Sequence, residues 1–312
     1  MTQIFDSNVL VQLHFYSFPP ENILEQRKRV NCWASGMKAI IYLLAIAALS
    51  FVLLKVLVLL LEPRMTFFPS KEIPKTPRDF GVDFRELTIP TSEGSTVTAW
   101  YLDRDDALAD FIFFHGNAGN ISMGRLDLIL TMFEQRYNVL VFDYRGYGQS
   151  PGSPDEAGIC SDSESVARFH RDELYRADRK VIYFGRSLGG VTASFAASKI
   201  PPAGLILEAT FPDKKTLLSH YPALLRFLAF FSRYELPTIR YLEQVDCPIL
   251  VIHGDRDEIV PFQVGEELFQ RIQGDKELFA VQGASHADQY AVGGDHYWAR
   301  LKSFVERLET QK

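Results

Sequence analysis

The chain has 312 residues, of which 47% are hydrophobic, so it can bury one large core or two small ones. Its formal net charge of −6 at pH 7, without a basic stripe carrying interleaved aromatic residues, gives no electrostatic reason to expect a nucleic-acid partner. Its three cysteines, Cys32, Cys160 and Cys247, are too few for a disulfide framework and lack metal-ligand spacing, so we expect no metal site.

The first strong pattern along the chain is an apolar run over residues 39–61, 23 residues that include one charge, Lys55, and one serine, Ser50. As a helix it spans roughly 34 Å at ~1.5 Å per residue, enough to cross the ~30 Å hydrocarbon core of a bilayer. A signal peptide would have a shorter run nearer residue 1 and a small-residue cleavage site, whereas Glu62-Pro63-Arg64 follows here. We therefore predict a transmembrane anchor over residues 39–61, preceded by an N-terminal tail over residues 1–38.

Basic residues flank this run equally on both sides, so the positive-inside count is balanced. They are Arg27, Lys28, Arg29 and Lys38 before the run, and Arg64, Lys71, Lys75 and Arg78 after it. The consecutive basic residues before a first helix favour a cytoplasmic N-terminus. We therefore predict a single-pass membrane protein whose larger C-terminal domain lies on the non-cytoplasmic side.

Residues 62–312 show the pattern of one α/β domain. A proline-rich stretch, with Pro63, Pro69, Pro74 and Pro77, predicts an extended connector, and a hairpin is predicted over residues 84–89 and 97–101. Short apolar runs typical of buried parallel strands follow at residues 111–114, 139–142, 181–184, 205–207, 249–252 and 278–281. Helical patterns occur near residues 126–135, 163–175, 188–198, 264–273 and 297–308. This alternation predicts a doubly wound, mostly parallel sheet with helices on both faces.

The most informative motif begins at Val181, where an apolar strand leads into Gly-x-Ser-x-Gly around Ser187 and then into a helix rich in small residues. A serine at such a sharp strand-to-helix turn projects its hydroxyl out of the fold, and the flanking glycines let strand and helix pass closely. The helix N-terminus also directs backbone N–H groups at a reacting carbonyl. We predict that Ser187 is a nucleophile.

The regular spacing of elements breaks between Thr210 and Val245. This insert, about residues 210–245, contains Pro222 and Pro237 and an apolar run over residues 221–231. We predict that it forms a helical cap over the site. Its run from Leu224 to Phe231 has two interpretations: the core of the cap, or a surface that lines an acyl channel or contacts the membrane.

A serine nucleophile needs a base, and the base needs an acid that orients it. At this kind of turn, the acid and then a histidine follow the serine, each on a loop after a later strand. The strand at residues 249–252 leads to Asp257, and the strand at residues 278–281 leads to His286. Ser187, Asp257 and His286 are therefore the predicted catalytic triad.

Four further residues could take part in such a site. Asp255 remains an alternative acid, because it lies two residues from Asp257. Asp143 precedes the serine, against the required order, and is predicted to anchor the turn that follows it. His253 is predicted to pack under the acid loop, and His296 to lie just ahead of the final helix in a surface or capping role.

The negative oxygen of a tetrahedral intermediate requires two preorganised donors, which form an oxyanion hole. One is predicted to be the backbone N–H of Leu188, the residue after the nucleophile. The other is predicted on the small-residue loop that follows the strand at residues 111–114, at Asn117 with Ala118 as the alternative. His115 is predicted to hold this loop by hydrogen bonds.

Several segments together resemble the α/β-hydrolase superfamily: His-Gly-Asn-Ala-Gly-Asn from His115, Asp-Tyr-Arg-Gly-Tyr-Gly-Gln-Ser from Asp143, Gly-Arg-Ser-Leu-Gly-Gly from Gly185, and the loops of Asp257 and His286. Within it, the chain is similar to the membrane-anchored α/β-hydrolase-domain-containing proteins, which are related to prolyl-aminopeptidase-like serine hydrolases. The likeness covers roughly residues 63–312 and implies an α/β-hydrolase fold with a serine active site. It does not specify the substrate, since relatives include esterases, thioesterases, lipases and peptidases.

The leading hypothesis is a membrane-anchored serine hydrolase that cleaves an ester or thioester of a small, lipid-like or acylated substrate through an acyl-enzyme at Ser187. It needs no cofactor, because the chain supplies the nucleophile, the base and the oxyanion donors. An aminopeptidase-like hydrolase is an alternative that requires an acidic pocket, for which the cap offers Asp213, Glu235 and Glu243. A non-catalytic scaffold that binds a partner is the other alternative. The oligomeric state and the acyl length stay open.

Overall fold

The computed structural model describes residues 20–308. The chain divides into an N-terminal unit that ends at Val56 and a C-terminal unit that begins at Leu57. Helix α1 (Pro20–Thr66) forms the described part of the first unit and supplies the first residues of the second. The remaining helices and strands belong to the C-terminal unit.

Helix α1 contains the apolar run predicted as a membrane anchor, and apolar side chains along it, such as Ile40, Leu44 and Phe51, are exposed. By length and composition it is a candidate membrane span. The helix begins well before Ala39, so the tail predicted over residues 1–38 is helical from Pro20 onward. The part of that tail up to residue 19 lies outside the described residues.

The prediction of an extended connector from Pro63 onward is wrong in its first part, because α1 includes Pro63 and ends at Thr66. An internal proline costs a helix about 3 kcal/mol, since it lacks an N–H and its ring meets the preceding turn. One hydrogen bond to the folded domain and one local backbone hydrogen bond offset part of that cost. The Thr66 carbonyl accepts a hydrogen bond from Asn117 Nδ2 at 2.5 Å, and the Pro63 carbonyl accepts one from the Phe67 N–H at 2.9 Å.

The strands of the described residues are β1 (Phe68–Pro69), β2 (Arg85–Pro90), β3 (Thr96–Leu102), β4 (Ala109–Phe114), β5 (Ala118–Gly119), β6 (Tyr137–Phe142), β7 (Lys180–Arg186), β8 (Gly204–Glu208), β9 (Ile249–Gly254) and β10 (Lys276–Val281). Eight of these ten form the central sheet, in the order β10-β9-β8-β7-β4-β6-β3-β2. The pairs β2–β3 and β3–β6 are antiparallel, and all other neighbours in this sheet are parallel. The predicted doubly wound, mostly parallel sheet is confirmed.

Helices cover both faces of this sheet, and three short ones belong to the insert after β8. The helices after α1 are α2 (Leu126–Glu134), α3 (Glu156–Phe169), α4 (Leu188–Lys199), α5 (Lys214–Ser219), α6 (Ala223–Ala229), α7 (Thr238–Leu242), α8 (Phe262–Arg271) and α9 (Gln289–Arg307). Strand β4 shows why both faces are apolar: Ile112 and Phe114 join the core under α3, α4 and α8, whereas Phe111 and Phe113 join the core under α2 and α9. Alternating side chains of a buried parallel strand meet a helical layer on each side.

Two predicted helix boundaries are wrong. Helix α3 begins at Glu156 instead of near residue 163, because the Asp155 side chain caps it by accepting the Gly158 N–H at 2.7 Å. Helix α9 begins at Gln289 instead of near residue 297, and Gly294, with φ 49°, kinks it and interrupts its apolar period. His296 therefore lies inside α9, where its ring packs against Phe279 at 5.2 Å, and not ahead of the helix.

The site is positioned by the carboxyl ends of parallel strands. Loops that follow β4, β7, β9 and β10 leave the same edge of the sheet, which is where α/β folds place their ligands. The insert predicted at about residues 210–245 follows β8 at this edge and contains α5, α6 and α7.

Candidate active site

Ser187 lies at the sharp turn between β7 and α4 with φ 55° and ψ −119°, a backbone conformation that costs a non-glycine residue about 1–3 kcal/mol. Backbone hydrogen bonds hold it there. The Ser187 N–H donates to the Glu208 carbonyl at 2.8 Å, and the Ser187 carbonyl accepts from the Thr210 hydroxyl at 2.8 Å. Residues at and just after the end of β8 thus fix the backbone before and after the side chain of the nucleophile candidate.

Close approach explains the glycines around this serine. A Cβ at Gly185 would overlap the Gly189 carbonyl, and a Cβ at Gly189 would overlap the Phe114 carbonyl. Strand β7, helix α4 and the end of β4 can therefore meet only where these positions lack side chains.

The structure brings the three predicted triad residues together. Ser187 Oγ lies 3.1 Å from His286 Nε2, and His286 Nδ1 lies 2.8 Å from Asp257 Oδ2. The alternative acid, Asp255, is engaged elsewhere, since its Oδ1 accepts the Gly283 N–H at 2.6 Å. The side chains thus form one hydrogen-bonded chain from a hydroxyl through an imidazole to a carboxylate.

Asp257 is buried, and its hydrogen bonds favour the ionised form. Its Oδ1 accepts the N–H groups of Ile259 at 2.9 Å and Val260 at 2.8 Å. His253 Nε2 lies 2.7 Å from the Val260 carbonyl and 3.3 Å from Asp257 Oδ2, beneath the acid loop where the sequence places it. Burial acts to raise the pKa of Asp257, but hydrogen bonds from His253 and His286 outweigh it, so the pKa is well below its usual value.

A buried arginine, Arg125, holds the loop that follows β4. Its Nη1 donates to the carbonyls of Asn120 at 2.9 Å and Met123 at 2.6 Å, and its Nη2 donates to those of Gly116 at 2.8 Å and Ala118. Burial lowers the pKa of Arg125 to about 10, so the guanidinium remains charged at neutral pH. This role of Arg125 could not be predicted from the sequence, because an arginine before an amphipathic helix carries no local sign of such contacts.

Other side chains fix the same loop from below. His115 Nδ1 lies 2.7 Å from the Gly116 carbonyl, and burial lowers the pKa of His115, which keeps the ring neutral. Asp143 Oδ1 accepts the Ile121 N–H at 2.9 Å. Asn117 uses its side chain rather than its backbone for support: its Oδ1 accepts the Tyr147 hydroxyl at 3.1 Å. The loop is thereby held from several sides.

A buried ion pair lies behind the serine turn and was also missed by the sequence analysis. Arg186 Nε lies 3.2 Å from Glu208 Oε1, and the Tyr297 hydroxyl donates to Glu208 Oε2 at 2.6 Å. Burial raises the pKa of Tyr297 well above its usual value, and the Glu208 charge raises it further, so the phenol stays protonated as a donor. These contacts join the ends of β7 and β8 to helix α9.

A pocket of about 920 Å³ opens at Ser187, within the C-terminal unit and within the size range of ligand sites in proteins. One side, here called the catalytic wall, consists of Ser187, His286 and loop residues 116–119. We include in it Asp257 and Arg125, which hold His286 and the loop by hydrogen bonds. The opposite side, here called the cap wall, is formed by the last turns of α1, by α5 and by α6. The residues that these three elements contribute to it are Val58, Glu62, Met65 and Thr66, then Lys214, Leu217 and Leu218, then Leu225, Leu228 and Ala229.

The cap wall has a polar anchor at Glu62, whose carboxylate is buried. It accepts hydrogen bonds from the Ser232 hydroxyl, from the Arg233 N–H at 3.1 Å and from the Tyr234 N–H at 3.3 Å. The Lys214 ammonium donates to the same Ser232 hydroxyl, and burial lowers the pKa of Lys214. Among the described residues, no group of three or more histidine, cysteine, aspartate and glutamate side chains is placed to hold a metal ion.

Comparison with known proteins agrees with this architecture. Residues 111–234 match the family model described as alpha/beta hydrolase fold. A protein of Saccharomyces cerevisiae described as an uncharacterized membrane protein is 30% identical over 237 residues, which cover 74% of this chain and 82% of that one. Human alpha/beta hydrolase domain-containing protein 17B is 31% identical over 228 residues, 70% of this chain and 73% of that one.

A solved structure shares the fold at lower sequence identity. The Pyrococcus furiosus esterase Pf2001 superimposes with a TM-score of 0.64 at 21% identity, covering 78% of this chain and 97% of that one. The sheet order, the serine turn and the sequence relatives agree, and the resemblance found in the sequence is confirmed. The chain belongs to the α/β-hydrolase family.

Proposed function

We propose that this protein is a membrane-anchored serine hydrolase that cleaves a carboxylic ester or thioester through an acyl-enzyme at Ser187. The observation that supports this most directly is the hydrogen-bonded chain Ser187–His286–Asp257 at the wall of a large pocket. Membership of the α/β-hydrolase family and the fold shared with an esterase support hydrolysis in general. Helix α1 supports the anchor.

In the proposed mechanism, Ser187 Oγ attacks the carbonyl carbon of the substrate while His286 Nε2 takes the hydroxyl proton. The C–O or C–S bond of the tetrahedral intermediate then breaks, and His286 returns that proton to the leaving alcohol or thiol. A water attacks the acyl-enzyme by the same route and releases the acid and free Ser187. Asp257 accepts the Nδ1–H of His286 throughout and stabilises the imidazolium.

The orientation of the loop peptides supports Asn117 as an oxyanion donor. The Gly116 carbonyl is engaged by Arg125 and His115, and in a trans peptide the next N–H points the opposite way. The Asn117 N–H therefore faces away from Arg125, while Ala118 remains the alternative. Leu188 opens helix α4, and the N–H groups of a first helical turn have no acceptor within the helix.

The nature of the cap wall supports a substrate with an apolar acyl group. Four leucines from α5 and α6, together with Val58, Met65 and Ala229, make this wall largely apolar, and the anchor would keep such a pocket near a bilayer. The aminopeptidase-like alternative has less support, because two of the acidic residues that it requires are engaged. Asp213 caps α5 and pairs with Arg271, and Glu235 pairs with Arg240.

The test is hydrolysis of p-nitrophenyl esters from short to long acyl chains by the full chain in detergent. Each buried methylene contributes ~0.8 kcal/mol, so we expect kcat/KM to rise about fourfold per methylene until the pocket is filled. Ser187→Ala should abolish turnover, while Ser219→Ala, a serine on the exposed end of α5, should keep it. Turnover that persists in Ser187→Ala would contradict the proposal, and absence of turnover in the folded parent would favour a peptidase or a scaffold.

The side of the membrane remains a prediction from the basic cluster at Arg27, Lys28 and Arg29. A tag placed after Lys312 and probed with a protease in sealed right-side-out vesicles tests it. Cleavage of the tag in intact vesicles is expected, and protection of the tag until the vesicles are opened would contradict the orientation.

A further inference from the structure

The outward side of helix α6 carries large apolar side chains that are exposed. Leu224, Phe227 and Phe230 follow each other at intervals of three residues, and they are 67%, 53% and 77% exposed. This spacing places them along one face of a helical segment. Such a contiguous apolar surface usually marks a contact with a protein, a ligand or a membrane.

The inward side of the same helix is also apolar. Leu225, Leu228 and Ala229 line the pocket opposite Ser187, and Arg226 is the charged residue within Ala223–Ala229. A helix with apolar side chains on two adjacent sides is stable only when both of those sides are covered by protein or by lipid. The inward side belongs to the lining of the pocket, whereas the outward side is exposed and requires another apolar environment.

The rim of the pocket extends this apolar surface. Met65, Phe68 and Ile259 each line the pocket and are themselves exposed. The Tyr221 hydroxyl, just before α6, donates to the Ile259 carbonyl at 2.7 Å, so the acid loop lies directly beside the start of this helix. The exposed apolar face and the opening of the pocket are therefore parts of one surface.

The chain itself indicates lipid as the covering phase. Leu57, Leu60 and Leu61 belong to the C-terminal unit, are exposed, and continue the apolar run of helix α1 in sequence. The next residue, Glu62, binds the backbone of Arg233 and Tyr234, in the segment that follows α6. Lipid that covers these leucines would therefore also lie near the segment after α6 and the pocket that α6 lines.

Charge at the same rim agrees with a membrane surface. Arg64, Arg226 and Arg233 are exposed around α6 and the end of α1. A helix that combines an apolar face with basic residues at its border suits the boundary between acyl chains and anionic headgroups.

We propose that the outward face of α6 is a membrane-docking surface, which inserts Leu224, Phe227 and Phe230 into the bilayer and opens the pocket to acyl chains drawn from it. This inference rests on the proposed function for the anchor and for ester hydrolysis. It adds the substrate class, which is an acyl ester or thioester resident in a membrane, and the path by which it reaches Ser187.

The test compares two substrates for the full chain reconstituted in vesicles of phosphatidylcholine and phosphatidylglycerol. Leu224→Ser/Phe227→Ser/Phe230→Ser should lose about tenfold or more in rate on a long-chain ester embedded in the vesicles, and stay within about twofold of the parent on soluble p-nitrophenyl butyrate. The matched control is Leu108→Ser/Val292→Ser, which changes exposed apolar residues outside the pocket lining and should affect neither rate. Equal rates of triple variant and parent on both substrates would overturn the proposal.

A second measurement decides the matter if the triple variant folds poorly or the parent turns over neither substrate. An environment-sensitive fluorophore is attached to Phe230→Cys, or to Leu108→Cys as a control, in a chain carrying Cys32→Ser. Quenching by lipids brominated on their acyl chains is expected at residue 230 and not at residue 108. Equal quenching at both positions, or a signal at residue 230 that depends on protein density in the vesicle, would overturn lipid docking, the latter in favour of contact with a second copy. Absence of turnover by the parent together with quenching at residue 230 would refute only the proposed hydrolysis.

Discussion

The catalytic wall and the cap wall face each other across one pocket, but different interactions determine their structures. On the catalytic wall, side chains and peptides are fixed by directed hydrogen bonds from the ends of four strands, as at Ser187, Asp257 and the loop held by Arg125. On the cap wall, short helices present leucines, and Glu62 supplies the polar anchor. Hydrogen bonds are directional and position atoms to within a fraction of an ångström. Burial of apolar area has no direction and mainly determines which substrates bind in the pocket.

This difference predicts that substitutions on the two walls have different signatures. Changes on the catalytic wall should lower kcat for every substrate, because they affect the reacting atoms. Changes on the cap wall should alter stability or substrate preference and leave kcat for short esters nearly unchanged. Substitutions on both walls test this distinction and the interactions behind it, and those with the strongest expected effects come first.

Asp257→Asn should lower kcat roughly 10⁴-fold, because an amide cannot stabilise the imidazolium and can favour the wrong tautomer of His286. Steady-state hydrolysis of a short p-nitrophenyl ester measures it. The matched control is Asp255→Asn, two residues away, which should change kcat little because Asp255 bonds the Gly283 N–H instead of His286. A larger loss in the control would assign the acid to Asp255.

Arg125→Met should lower kcat roughly 10²-fold, the effect of losing one oxyanion donor, because the loop carbonyls lose the cation that orients them. KM for a short ester should change little. Arg125→Lys should recover only part of the lost kcat, because a lysine ammonium lacks the planar fork of donors with which the guanidinium reaches four carbonyls. A rise in KM with unchanged kcat would instead place Arg125 in substrate binding. Arg136→Met, at an exposed pair with Asp106, serves as control.

Glu62→Ala should destabilise the domain by about 2 kcal/mol, because it leaves the N–H groups of Arg233 and Tyr234 without their charged acceptor. Thermal unfolding in detergent should show a fall in Tm, while kcat on a short ester changes little. Glu235→Ala removes an exposed ion pair with Arg240 and should cost at most about 1 kcal/mol. Equal shifts in Tm for both variants would show that Glu62 does not anchor the cap wall.

Stability should fall in acid through Asp257. Its pKa is lower in the folded protein than in the unfolded chain, so its contribution to stability is complete above the unfolded value of about 3.9 and decreases as the pH falls below it. The difference in unfolding free energy between the parent and Asp257→Asn should therefore shrink by up to about 1.4 kcal/mol per pH unit below pH 4. A difference that instead grows in acid would contradict the lowered pKa.

Ser187→Gly should be more stable than Ser187→Ala by about 1 kcal/mol, although both lack the nucleophile. Glycine adopts φ 55° and ψ −119° without strain, whereas alanine retains the strain of serine. Thermal unfolding of the two variants measures the difference. An alanine variant as stable as the glycine variant would show that the serine turn stores no strain.

The sequence predicts most where local pattern and topology agree. Apolar strands ending in Gly-x-Ser-x-Gly, in the Asp257 loop and in the His286 loop placed three side chains at one edge of a parallel sheet, and the structure joins them by hydrogen bonds. Pairing of β9 with β10 brings the last two loops side by side. The residue types alone could not identify the triad. His170 and Asp110 also lie 3.5 Å apart, but this second His–Asp pair is near the amino end of β4, away from the serine turn.

The residues that sequence reasoning missed act through distant partners. Glu62 binds the backbone at Arg233, 171 positions later, and a glutamate after an apolar run is ordinarily a solvated flank. Arg125 and Arg186 are arginines, a residue type that is usually exposed, and only folding buries them. The early start of α9 was missed for a similar reason, since Gly294 interrupts the helical period that a sequence pattern requires.

The most direct test of the central claim is mass spectrometry of the full chain quenched in acid during the first turnovers of a p-nitrophenyl ester. We expect one acyl group per chain, located on Ser187, and no such group on Ser187→Ala. Hydrolysis without an acyl adduct, or an adduct on another residue, would contradict the account.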